Sequence, residues 1–97
     1  MNRNQVLALL NQHGDEIRRR FAVRHLSLFG SAARDELRDG SDIDVLAEFD
    51  SPPTFDGYLG LKDDLEALFG AKVDLATEAM VKPRLWRYIE KDLLRVA

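Results

Sequence analysis

Asp42 and Asp44, separated by Ile43, are the residues of this chain best placed to do chemistry. On an extended strand residues two apart share a face, so both carboxylates project together while Ile43 and Val45 point to the other side. Neighbouring carboxylates repel one another, and a divalent cation relieves that repulsion. Hard oxygen ligands of this kind suit Mg²⁺ or Mn²⁺, which use one or two carboxylates and complete their shell with water and phosphate oxygens. Upstream, Gly30 removes a side chain where a phosphate would meet the backbone, and Ser31 offers a hydroxyl and a backbone N–H at a helix start. Arg34, one turn on, can set its guanidinium against phosphate oxygens. The three parts converge on a metal-bound triphosphate.

Each part also has an ordinary explanation. Gly30-Ser31 alone reads as a turn with a helix cap, Asp42 as a turn residue after Gly40, Asp44 as a solvent-facing strand residue and Arg34 as a surface arginine. The combination is harder to dismiss. Gly30, Ser31, Arg34, Ser41, Asp42 and Asp44 at fixed spacing arise by chance at roughly 10⁻⁷ to 10⁻⁸ per start position, from average residue usage. His13 and His25 have no partner at ligand spacing and read as ordinary helix and strand-entry residues.

The elements that must position these groups follow from periodicity. Val6, Leu9, Leu10, Ile17 and Phe21 recur at helical spacing with Asn4 as N-cap, and Gly14 is expected to split the stretch into two short helices. Arg24 to Phe29 alternates as a strand that ends at Gly30. Ser31 to Leu37 reads as a short helix, Asp39-Gly40 as a turn, and Asp42 to Phe49 as a second strand. Ser51-Pro52-Pro53-Thr54 marks a loop. Leu59, Leu61, Leu65, Leu68 and Phe69 build a helix that Gly70 terminates, and Val73 to Ala76 is a third strand. Pro83 opens a last helix in which Leu85, Ile89 and Leu93 are expected to face the core with Trp86 on their flank. This order predicts an α/β (α+β) fold, a small mixed sheet flanked by helices, in one domain over residues 1–97.

Composition narrows the setting. Hydrophobic residues make up 45% of the chain and charged residues 32%, as in ordinary soluble domains. There is no cysteine for a disulfide or a thiolate metal site. No apolar run is long enough to span a bilayer and no signal sequence leads the chain, so a cytoplasmic setting is expected. With 14 basic residues spread among 17 acidic ones, extended nucleic-acid binding is not expected. Arg18 to Arg20, and the Arg84, Arg87 and Lys91 side of the last helix, read as solvated faces.

Gly30-Ser31, ten residues, then Asp42-Ile43-Asp44 resembles the signature of the polymerase β-like nucleotidyltransferase superfamily, and more narrowly its minimal nucleotidyltransferases. Those proteins partner HEPN-domain toxins as antitoxins. The resemblance spans nearly the whole chain and implies a third carboxylate on a strand beside the Asp-x-Asp strand, which Asp74 matches. It further implies that Asp42, Asp44 and Asp74 bind two Mg²⁺ ions and that Gly30, Ser31 and Arg34 hold the β- and γ-phosphates of ATP. The AMP acceptor would be a hydroxyl, a tyrosine, on the HEPN toxin, with a hetero-oligomer possible between the two proteins. Asp35 departs from the pattern, where members commonly carry glycine. Two other functions compete: an antitoxin that neutralises by stoichiometric binding alone, and a small-molecule nucleotidyltransferase, which the shortness of the chain disfavours.

Overall fold

Four strands, β1 (Val23–Leu28), β2 (Ile43–Phe49), β3 (Val73–Thr77) and β4 (Leu94–Arg95), form one sheet in the order β3-β2-β1-β4, in a computed structural model that describes residues 1–96. β1 runs antiparallel to both β2 and β4, whereas β2 and β3 are parallel and joined through α3 (Phe55–Phe69). The remaining helices are α1 (Arg3–Phe21), the single turn α2 (Gly30–Ala33) and α4 (Pro83–Asp92). The mixed sheet flanked by helices is the architecture the sequence pattern implies. Among the described residues no helix is long and apolar enough to cross a membrane.

One face of the sheet supplies the core. Leu26 and Leu28 of β1, Ile43, Val45 and Ala47 of β2, and Val73 and Leu75 of β3 cluster with Val6, Leu10 and Ile17 of α1 and Leu61, Leu65 and Phe69 of α3. The helices pack closely enough that a Cβ on Gly60 would come within 3.1 Å of the Phe21 ring. The opposite face carries Asp44 beside Asp74 and Leu46 beside both Ser27 and Ala76. Leu46 and Ser27 are buried there, outside the main cluster.

Several local expectations are corrected. Gly14 does not break α1, which is continuous. A glycine costs about 1 kcal/mol in a helix interior, but Leu10 and Ile17 on the same buried stripe each contribute about 1.5–3 kcal/mol by burial. The N-cap is Asn2, not Asn4, because Asn2 Oδ1 accepts from the Gln5 N–H while Gln5 Oε1 accepts from the Asn2 N–H, which completes a capping box. The helix after Ser31 stops at Ala33, since Asp35 adopts a left-handed φ of 60°. α3 starts earlier than its leucine pattern suggests, at a cap in which Thr54 Oγ1 accepts from the Gly57 N–H.

The last helix departs most. No residue of α4 is buried, and Leu85 is 49% exposed rather than core-facing. Its half-buried residues are Trp86, Ile89 and Asp92, with Leu93 just beyond as C-cap. Positions 86, 89 and 93 form an i, i+3, i+7 stripe, and Leu85 lies about 100° round the helix from Trp86. Strand β4 was not foreseen. It follows at once and pairs Leu94 with Leu28 and Arg95 with Ser27.

Candidate active site

β2 and β3 bring the first two carboxylates together. Alternation on β2 sends Ile43 and Val45 into the core and Asp44 to the opposite face, and the parallel register sets Asp74 directly beside Asp44. Asp44 is half-buried and Asp74 exposed. Partial burial of Asp44, then the charge and hydrogen bond of Asp74, then the charge of Asp42, push its carboxyl up to about 6 against the opposing pull of Arg34. Carboxylates crowded and partly desolvated in this way favour a bound proton or a cation between them. Asp42, exposed and just before the strand, does not close a cage. Among the described residues no three acidic, histidine or cysteine side chains stand together as a ready-made metal site. The donor set fits Mg²⁺, which takes one or two carboxylates and fills its shell with water and phosphate oxygens.

The edge strand β3 is held from outside by α3. Val73 N–H donates to Glu66 Oε2 at 2.9 Å, and Tyr58 Oη–H donates to the Leu75 carbonyl. These two bonds flank Asp74 in sequence. They satisfy backbone groups that an edge strand would otherwise leave open. Neither Glu66 nor Tyr58 was legible as part of the site, because each acts through the backbone of a strand that only the fold brings near.

β1 delivers the chain to Gly30, and the Phe29 N–H donates to the Asp44 carbonyl at 3.1 Å, which ties the loop to β2. Gly30 has φ +62°, and a Cβ there would overlap the Asp44 carboxylate, with only 3.2 Å to its Cγ. The left-handed backbone favours glycine here, and any larger residue would also have to displace the Asp44 carboxylate. Ser31 follows within α2, whose first N–H groups lack intrahelical acceptors and receive no side-chain cap from Phe29. Ser41 closes the loop before Asp42, its Oγ accepting from the Arg38 N–H at 3.2 Å.

Arg34, the C-cap of α2, lies close enough for its charge to be felt at Asp44. Its side chain is engaged by Asp92 and Glu36, which raise its pKa in that order. The Asp35 carboxylate has another occupation: Oδ1 accepts from the Arg3 N–H at 2.9 Å, while Arg3 Nη1 donates to the Ala33 carbonyl at 3.2 Å. Asp35 thus caps the first turn of α1 rather than the short helix it follows, and its departure from glycine fastens the loop to α1.

The geometry agrees with known proteins. A family model described as a nucleotidyltransferase domain matches residues 10–96. Protein adenylyltransferase MntA of Thermococcus cleftensis is 33% identical over 92 residues, covering 95% of this chain and 93% of the relative. A solved structure provisionally named as a minimal nucleotidyltransferase superposes with a TM-score of 0.83 at 30% identity, over 97% of this chain and 95% of that one. The same fold occurs in the complex of the tri-AMPylated Shewanella oneidensis HEPN toxin with its MNT antitoxin, at a TM-score of 0.69 and 16% identity, covering 94% of this chain and 71% of that one. With the family model spanning most of its length and a carboxylate pair backed by a glycine loop, the chain belongs to the nucleotidyltransferase domain family, as a minimal nucleotidyltransferase of the polymerase β-like superfamily.

Proposed function

We propose that this chain is a Mg²⁺-dependent protein adenylyltransferase that moves AMP from ATP to a tyrosine hydroxyl of a HEPN-domain toxin and acts in the cytoplasm as its antitoxin. The observation that carries the reading is the register pairing of Asp44 with Asp74, closed on one side by Gly30. Asp42, Asp44 and Asp74 would hold two Mg²⁺ ions, which when bound neutralise phosphate charge and activate the attacking oxygen. The Gly30-Ser31 loop and Arg34 would hold the β- and γ-phosphates in line for attack. The acceptor oxygen bonds to the α-phosphorus as the bond to the bridging oxygen breaks and pyrophosphate leaves. Asp74, beside the attacking oxygen, would take the hydroxyl proton.

The relatives support this reading, one being named a protein adenylyltransferase and another solved with an AMPylated HEPN toxin. Asp35, the departure from the family pattern, has its carboxylate committed to the start of α1 and so does not stand against the phosphates. Incubation with ATP labelled at the α-phosphate, Mg²⁺ and a cognate HEPN-domain toxin should transfer label to the toxin. Asp42→Asn and Asp44→Asn together should reduce transfer by on the order of 10³-fold, the several kcal/mol expected of metal-borne charge stabilisation. Protection from the toxin that survives this double substitution would instead establish stoichiometric binding.

A further inference from the structure

We propose that Asp92 is a positioning residue for the nucleotide, acting through Arg34. The inference rests on the nucleotidyltransferase reading and assigns a role to a residue 58 positions away in sequence. Arg34 is an exposed arginine at the end of a one-turn helix, next to the left-handed Asp35. Unassisted, such a side chain would sample many rotamers and lose that freedom on meeting a phosphate. In the structure Asp92 Oδ2 accepts from Nη1 at 2.8 Å and Glu36 Oε2 accepts from Nε at 3.2 Å. Of the two, Asp92 is the firmer partner. It is 28% exposed against 61% for Glu36, and it sits on a helix rather than in a loop.

A second observation points the same way. Asp92 is the last residue of α4, where the helix dipole disfavours negative charge. A carboxylate there is stabilised by a cation, and Arg34 is the cation it meets. The two pairs engage two of the five guanidinium N–H groups and leave the others for phosphate oxygens. Arg34 closes the same short helix whose Gly30 abuts Asp44, so the guanidinium is held on the element that borders the candidate metal site. Asp92 therefore fixes Arg34 before the nucleotide arrives, and α4 serves the site by supplying it.

The test is a double-mutant cycle. Asp92→Ala, Asp92→Glu and Arg34→Ala, with the Arg34/Asp92 double variant, are assayed for Mg²⁺-AMP-PNP binding by calorimetry and for KM and kcat of AMP transfer. Asp92→Ala should weaken AMP-PNP binding about threefold to tenfold, the scale of coupling between contacting residues, and raise KM for ATP more than it lowers kcat. Asp92→Glu should recover most of the loss, and Asp92→Ala should add nothing in the Arg34→Ala background. An equal loss in that background, or tighter nucleotide binding by Asp92→Ala, overturns the proposal. Asp92→Asn, which keeps the side-chain volume, carries the same test if the alanine variant unfolds. If the wild-type chain fails to bind AMP-PNP, the nucleotidyltransferase reading falls, and this inference with it. Wild-type binding that Asp92 variants leave unchanged removes only the role of Asp92.

Discussion

The two halves of the sheet are held by different means. At the β2–β3 side, five paired positions run in parallel and α3 pins the edge through Glu66 and Tyr58, so Asp44 and Asp74 stay together despite their repulsion. At the β1–β4 side, the edge strand is two residues long and the helix before it buries no side chain completely. An ion pair, Arg34 with Asp92, links that helix to the end of α2. The rigid half carries carboxylates that must be forced together, and the looser half carries the arginine proposed to meet the nucleotide. Precision is built where electrostatics opposes the arrangement.

The largest effect should come from Gly30→Ala, where the loop after β1 presses on the rigid half. A left-handed backbone and overlap with Asp44 combine there, so the variant should lose about 2–3 kcal/mol of stability in urea unfolding and should no longer bind Mg²⁺-AMP-PNP. Normal stability would mean that the loop does not press on Asp44 as described.

Asp44 gives a smaller effect with a definite pH signature. Its carboxyl is raised from 3.8 to about 6, so the folded chain binds that proton more tightly than the unfolded chain does. This contribution favours the fold at pH 4 and is lost as pH rises through about 6. Without divalent cations, Asp44→Asn should therefore be more stable than wild type at pH 7.5, and the gain should vanish near pH 4. A shift of this size would correspond to about 3 kcal/mol in full burial, but Asp44 is only half-buried, which reduces the expectation to about 1 kcal/mol. Thermal melts in chelator at the two pH values measure it. Added Mg²⁺ should raise the melting temperature of wild type but not of Asp44→Asn.

The loose half should respond least. Leu85→Ser should change stability by no more than about 0.5 kcal/mol, because the side chain is half exposed on a helix that does not enter the core. A loss of 2 kcal/mol or more in the same urea titration would place Leu85 in the core after all and erase the contrast between the halves.

Much of the site was legible because strand alternation is local. Asp42-Ile43-Asp44 and Val73-Asp74-Leu75 each declare which side chain is buried and which is not, whatever the rest of the fold. Gly30-Ser31 after an alternating strand announced its loop in the same way, and Gly70 ended α3 as its position indicated, with φ 63°. The misreadings share the opposite property. Whether Gly14 breaks α1, and whether Leu85 or Trp86 turns inward, depends on what packs against those residues. Asn2 prevailed over Asn4 through a partner three residues away, a signal that was present in Gln5.

The amino-acid sequence by itself thus determined the chemical groups, their spacing and the face on which each would stand, since backbone geometry and binary patterning act over a few residues. The tertiary structure alone decided that Asp74 stands in register with Asp44 rather than with a neighbour, that Gly30 closes against that pair, that Asp35 caps α1 and that Asp92 holds Arg34. Each joins residues from separate elements, and such contacts exist only once burial of the shared core has fixed the strands and helices against one another.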